Sequence, residues 1–257
     1  MIHPTAVIDP HAKVPASCNV GPHCHVGAGV ELGENCELIS HVSILGPAKI
    51  GARNRFFPFC AIGGEPQDLT YKGEPTRLEI GDDNVFREFV TVNRGTSKGG
   101  GLTRVGNHTL NMAYAHIAHD CFISDHVIMA NAATLAGHVT IGEWASVGAF
   151  SAVHQFDVVG AHAYIGGGTI VTRDVLPFSK TVAARDAKAY GVNSIGLERR
   201  GFDKDRIKRI QHAFRVLLNS KLNTTQALEK LRSEGDQGED VALLIEFIEK
   251  SERGVIK

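Results

Sequence analysis

The sequence predicts a solenoid of triangular β-coils followed by a small α-helical domain, and three patterns predict it. The first is an aliphatic or aromatic residue at every sixth position: Ile2, Ile8, Val14, Val20, Val26, Leu32, Leu38, Ile44, Ile50, Phe56 and Ile62, then in the same frame Ile80, Phe86 and Val92. After one change of frame the series runs from Val105 through Ile117, Ile123, Met129, Leu135, Ile141, Val147, Val153, Val159 and Ile165 to Val171, with Asn111 its only polar member. A helix repeats every 3.6 residues and a strand every two, so a period of six held over roughly 170 residues means stacked coils. The second pattern is a small residue four positions after most of these, as at Ala12, Cys18, Cys24, Cys36, Ala48, Cys60, Ala115, Ala133, Ala145 and Ala163. Two inward positions per six fill a narrow core. The third is a change to helical spacing near the C-terminus.

Taken in order, the hexads assign residues 1–176 to the coils. Three six-residue faces make a coil of eighteen residues, hydrogen-bonded to its neighbours as parallel strands ~4.8 Å apart. Two polar, glycine-containing insertions, 63–79 and 93–104, interrupt the hexads. Loops that leave a regular scaffold commonly carry function. A connector spans 177–201. Over 202–257, Ile207, Ile210, Phe214, Leu217 and Leu218, then Leu228 and Leu231, then Val241, Leu244, Ile245 and Ile248 fall at helical spacing and predict about three helices.

Composition narrows the function classes. A net charge of −1 argues against a nucleic-acid protein. No apolar run approaches the ~18 residues of a membrane span, and the start lacks the pattern of a signal peptide, so a cytoplasmic protein is expected. All five cysteines (Cys18, Cys24, Cys36, Cys60, Cys121) occupy the small inward position and read as buried fillers, neither disulfides nor metal ligands. Arg199 to Lys221 is locally basic, either a solvated helix face or a docking surface for an acidic partner or phosphates.

Among the thirteen histidines, His116, His119, His138, His154 and His162 fall in the later coils. Eighteen-residue spacing places His119, Gly137, Gln155 and Arg173 at one corner of successive coils, and Asp120 beneath His138. An imidazole one strand spacing from a bare glycine backbone supplies a general base and an oxyanion donor, the pairing acyl transfer needs. Adjacent residues of an extended chain point opposite ways, so Asp120 can orient His119 only at a corner or from a neighbouring subunit.

The segments Ala115-His116-Ile117-Ala118-His119-Asp120-Cys121, Leu135-Ala136-Gly137-His138-Val139 and Val153-His154-Gln155-Phe156 carry a resemblance to a known family. So do Pro66-Gln67-Asp68-Leu69, Gly73-Glu74-Pro75-Thr76-Arg77 and Arg199-Arg200-Gly201-Phe202. Together, over essentially the whole chain, they resemble the UDP-N-acetylglucosamine O-acyltransferases of lipid A biosynthesis. The resemblance implies a left-handed parallel β-helix, a homotrimer with sites between subunits, and transfer of a 3-hydroxyacyl chain from acyl carrier protein to the 3-hydroxyl of UDP-GlcNAc. It implies no cofactor beyond the carrier's phosphopantetheine arm, and no metal. His119 would be the base, Asp120 its helper, and the Gly137 N–H the oxyanion donor. Gln67 and Asp68 would lie near the sugar and acyl amide, with His116, His138, His154 and Gln155 lining the sugar and phosphopantetheine region. Asn193, Arg199 and Arg200 would hold the nucleotide and its diphosphate. Gly167, flanked by Gly166 and Gly168, would gauge acyl length with Tyr164 and Asp186, and a long chain is expected.

Three departures stand out: Thr70 where relatives commonly place a sugar-contacting lysine, Asp186 where some have histidine, and Ile195 where some have glutamate. The same transfer to a UDP-3-amino sugar, giving an amide, is the competing reaction. A zinc site of the γ-carbonic anhydrase type is disfavoured because the His116–His119 spacing does not match, and a purely structural solenoid leaves the histidine–glycine corner without a purpose.

Overall fold

The computed structural model describes residues 1–182, 191–192, 194–199, 201–219 and 221–249. The chain divides into two compact units, Met1–Ala183 and Ala184–Lys257. In the first, three parallel sheets wrap one core. Face I is a nine-stranded sheet that begins at Val7–Ile8 and contains His116–Ile117, Thr134–Leu135 and Ala152–Val153. Face II has seven strands, from Val30–Leu32 to Val158–Val159, and face III has nine, from Asn19–Val20 to Lys180–Thr181. The chain visits I, II and III in turn. His116 pairs with Thr134 and Thr134 with Ala152, one eighteen-residue coil at each step.

The aliphatic column is the core: Val26, Ile44, Ile62, Val92, Ile117, Leu135 and Ile165 are fully buried. Ile2, in the first coil, is half exposed. The five cysteines are all buried free thiols, and burial pushes Cys60 and Cys121 up to about 12. In the column that runs through Cys18 and Cys36, polar residues replace the thiol for the next three coils. Asn54 Nδ2 donates to the Gly51 and Gly81 carbonyls, Asn84 Nδ2 to the Gly106 carbonyl, and the Asn84 and Thr109 N–H groups donate in turn to Asn54 Oδ1 and Asn84 Oδ1. Asn54, Asn84 and Thr109 are buried, and this ladder satisfies their amides and hydroxyl.

From His23 onward most corners turn through a residue in the left-handed region, here mostly His, Asp, Asn or an aromatic with φ between 51° and 69°. Such a conformation costs about 1–2 kcal/mol without glycine. A hydrogen bond to the preceding coil offsets it at each corner, as from His138 N–H to the His119 carbonyl at 3.0 Å.

Both insertions leave at the corner between faces I and II. The strands reach further into them than the hexads predict, through Ala61–Gly64 and Arg77–Ile80 on either side of the first and Thr91–Asn93 and Leu102–Val105 on either side of the second. The coils also outlast residue 176. Lys180–Thr181 still pairs with Tyr164–Ile165, but sixteen residues on, and the two-residue shortening hides this coil from a search for hexads.

The second unit holds four helices among its described residues, one more than the spacing predicts: α1 (Ser194–Arg199), α2 (Lys204–Asn219), α3 (Thr224–Ser233) and α4 (Glu239–Glu249). The additional one, α1, is a short helix of six residues within the expected connector. Asn223 and Gln226 form a capping box that starts α3. Ala213, Leu217, Ala227, Leu231 and Val241 make a separate core.

Candidate active site

His119 and Asp120 follow the face I strand His116–Ile117 at the I/II corner. Asp120 takes the left-handed position, φ 62°, and this turns its carboxylate back toward the preceding imidazole of the same chain. Asp120 Oδ2 lies 2.8 Å from His119 Nδ1. Of the two ways Asp120 could reach His119, the corner is the one used. With Nδ1–H donating to the carboxylate, Nε2 is left as the basic nitrogen.

The aspartate is itself held. Its side chain is 1% exposed, and a buried carboxylate is tolerated only when fully hydrogen-bonded. Thr96 N–H donates to Oδ1 and Thr96 Oγ1 to Oδ2, both at 2.7 Å, and the Asp120 N–H donates to Thr103 Oγ1. Thr96 also caps the 3₁₀ turn Ser97–Gly99. The second insertion therefore grips Asp120, the partner of the His119 ring. Gly99 makes this approach possible, because a Cβ there would overlap the Asp120 carboxylate.

Across the next coil, Gly137 faces the ring. A Cβ on Gly137 would fall 2.5 Å from His119 Cε1 and 2.9 Å from Nε2. Among the described residues the Gly137 N–H donates to no protein acceptor. His138 packs edge-on against His119, centroids 5.3 Å apart, and stacks on Phe156 at 4.5 Å. His116 Nδ1 lies 2.7 Å from Thr91 Oγ1, and burial, with His119 nearby, holds His116 below the usual histidine value. His154 and Gln155 are exposed one coil further on, with His154 Nδ1 3.2 Å from the Gln155 carbonyl. His119, Asp120 and His138 bring possible metal ligands within 4.8 Å of one another. Both Asp120 oxygens are already engaged by Thr96 and His119, so a cation would have to displace bonds that hold the pair.

The first insertion places Asp68 half-buried and Gln67 exposed. Thr70 donates to Asp68 Oδ1 from both its N–H and its hydroxyl, which holds Asp68 below the usual carboxylate range. Buried Arg94 ties this loop to the second, donating to the Gly63 carbonyl, Glu65 Oε1 and Tyr71 OH. Tyr164 stands on the outer surface of face III, 44% exposed, rather than inside the prism. Gly167 lies at the III/I corner, beyond the His119 corner across face I, where a Cβ would meet the Ala149 carbonyl oxygen at 3.1 Å. Arg199 is exposed at the end of α1. Asn193, Arg200 and Asp186 lie outside the described residues.

Thr96, Lys98, Gly99 and Arg94 are the site residues that the sequence did not single out. Their trace was only the glycine run of the second insertion.

A prism of hexapeptide coils with an imidazole–carboxylate pair set against bare backbone belongs to the class of hexapeptide-repeat acyltransferases. Over residues 174–256 the chain matches the family model described as UDP-N-acetylglucosamine O-acyltransferase, domain 2. It is 46% identical over 256 residues to the acyl-[acyl-carrier-protein]–UDP-N-acetylglucosamine O-acyltransferase of Stenotrophomonas maltophilia (100% of this chain, 97% of that one). To its namesake in Syntrophobacter fumaroxidans it is 44% identical (100% and 99%). The crystal structure of the UDP-N-acetylglucosamine O-acyltransferase from Moraxella catarrhalis is 41% identical, with a TM-score of 0.69 and coverage of 100% and 99%. The chain belongs to this O-acyltransferase family, and its solenoid is a left-handed parallel β-helix.

Proposed function

We propose that this chain transfers a 3-hydroxyacyl group from acyl carrier protein to the 3-hydroxyl of UDP-GlcNAc, the entry step to lipid A, as a homotrimer. The observation that carries the reading is the His119 ring lying against bare Gly137 with Asp120 on its Nδ1. His119 Nε2 takes the proton of the acceptor hydroxyl as the oxygen attacks the thioester carbonyl. The Gly137 N–H receives the oxyanion, and the tetrahedral intermediate collapses to the ester, expelling the carrier thiolate, which recovers the proton from His119. Asp120 fixes the ring and stabilises its charged form. Asp68 and Gln67 meet the sugar and acyl amide; His116, His138, His154 and Gln155 line the remaining path; Asn193, Arg199 and Arg200 take the nucleotide diphosphate. The acyl chain crosses face I toward Gly167 and holds twelve carbons or more.

The experiment is direct: purified protein, UDP-GlcNAc or the corresponding UDP-3-amino sugar, and 3-hydroxyacyl carrier proteins of graded length. Ester formation on UDP-GlcNAc with the optimum at twelve carbons or beyond is expected. Amide formation on the amino sugar with no ester would replace the acceptor, and no transfer to either would end the reading.

A further inference from the structure

The departure at Thr70 has a counterpart in the other insertion. Lys98, exposed on the turn Ser97–Gly99, donates from Nζ to Thr70 Oγ1 at 2.8 Å. An ammonium is only a donor, so Thr70 Oγ1 must accept from it and direct its own proton elsewhere. That proton goes to Asp68 Oδ1, 2.8 Å away, which also takes the Thr70 N–H at 2.7 Å. The polarity of the chain from Lys98 through Thr70 to Asp68 is therefore fixed. Asp68 Oδ1 is filled, while Oδ2 accepts no bond from any described residue. Two residues before Lys98, Thr96 grips Asp120, the partner of His119. One short turn thus joins the carboxylate of the first insertion to the base.

We propose that Lys98 is a positioning and specificity-determining residue for the acceptor sugar: acting through the Thr70 hydroxyl, it holds Asp68 with one acceptor-only oxygen presented to a sugar hydroxyl or amide N–H. The proposal rests on the acyl transfer above. Lys98 touches neither the thioester nor the proton in flight, so its removal loosens acceptor binding and spares the chemical step.

The test is steady-state kinetics on the full-length enzyme with UDP-GlcNAc varied. Lys98→Gln should raise the acceptor KM about ten- to a hundredfold, the range of a lost charge-assisted hydrogen bond. Its kcat should stay within about threefold and the KM for the acyl carrier should not move. Thr70→Val should give a similar loss, and the double variant no more than either single, because both break one relay. Thr70→Lys with Lys98→Gln, which moves the ammonium to the other loop, should recover most of the acceptor affinity. An unchanged acceptor KM in Lys98→Gln, additive losses in the double variant, or a fall in kcat alone would each overturn the proposal. Wild-type turnover of UDP-GlcNAc in the same assay separates these failures from a failure of the proposed reaction.

Discussion

Rings pack against one another at all three corners of the prism, and only one corner has the parts of a catalytic site. At the II/III corner His108, His126, Trp144 and His162 lie nearly parallel, with centroids 4.9, 4.0 and 6.5 Å apart. Each holds the left-handed position, and before it come Asn107, Asp125, Glu143 and Ala161. There the acid precedes the ring: Asp125 accepts from the Asn107 backbone and side chain, and His126 stacks at the surface. At the I/II corner the order is reversed. The ring of His119 comes first and Asp120 takes the left-handed position, which sends the carboxylate inward to Thr96 and onto His119 Nδ1. Stacked histidines are thus what an eighteen-residue period and a positive φ produce by themselves. A base needs the reversed order, a buried anion and a glycine on the next coil.

That contrast is broken first by deleting a ring from each corner. His119→Ala should lower kcat by ~10² to 10⁴, while His126→Ala should leave it within about twofold, with both proteins retaining their thermal transition. Equal losses at the two corners would show that stacking rather than base chemistry matters.

Next come the glycines that let the parts meet. Gly99→Ala places a methyl on the Asp120 carboxylate and Gly137→Ala places one against the His119 ring, so each should reduce kcat by roughly tenfold or more. Gly100, where a Cβ would meet nothing within 4 Å, shares its loop with Gly99 but has φ 89°, so an alanine there should cost stability through backbone strain, with a smaller effect on kcat. Turnover and melting temperature of the three variants sharpen the contrast between steric access and strain.

Chain length tests the far end of the site. Gly167→Met should move the preferred acyl chain to ten carbons or fewer, as read from rates over carrier-bound substrates of graded length. An unmoved optimum would place the limit at Tyr164 or Asp186.

The smallest expected effect is a pH slope at His116. Burial, with His119 nearby, holds its folded pKa below the ordinary histidine value, so the unfolded chain takes up the proton first. Stability should be intact above that value and decline as pH falls toward the folded pKa. His116→Gln should remove this part of the slope, as read from Tm measured against pH on the acid side of neutrality.

The coil architecture was legible because its cause is local: one inward aliphatic per hexad, buried at Val26, Ile62, Ile117 and Leu135 as the period requires. The last coil was not, since the offset from Tyr164 to Lys180 breaks the count of eighteen. The meeting of His119 with Gly137 also followed from arithmetic, and the outward face of Tyr164 follows from its neighbour Ile165 holding the inward position. Thr96, Lys98 and Arg94 escaped notice for a different reason. They sit in insertions without a period, and only the fold of those loops decides that Thr96 meets Asp120 and Lys98 meets Thr70.

The asparagine ladder bears on how such a chain finds its alignment at all. A sequence that repeats every six residues is nearly degenerate: sliding one face along by six sets each aliphatic on another aliphatic's place, and hydrophobic burial alone scarcely tells the two registers apart. The ambiguity is worst where an insertion lengthens the segment to be closed, as between Ala61 and its partner Thr91. Asn54, Asn84 and Thr109 face one another only when those coils are in true register. A six-residue slip would set their amides against Ala48, Cys60 or Val90, stranding buried donors at about 1–3 kcal/mol each. Three polar residues in a greasy column thereby act as a vernier for the prism, and the coil that carries His119 is stacked against the last of the coils they align.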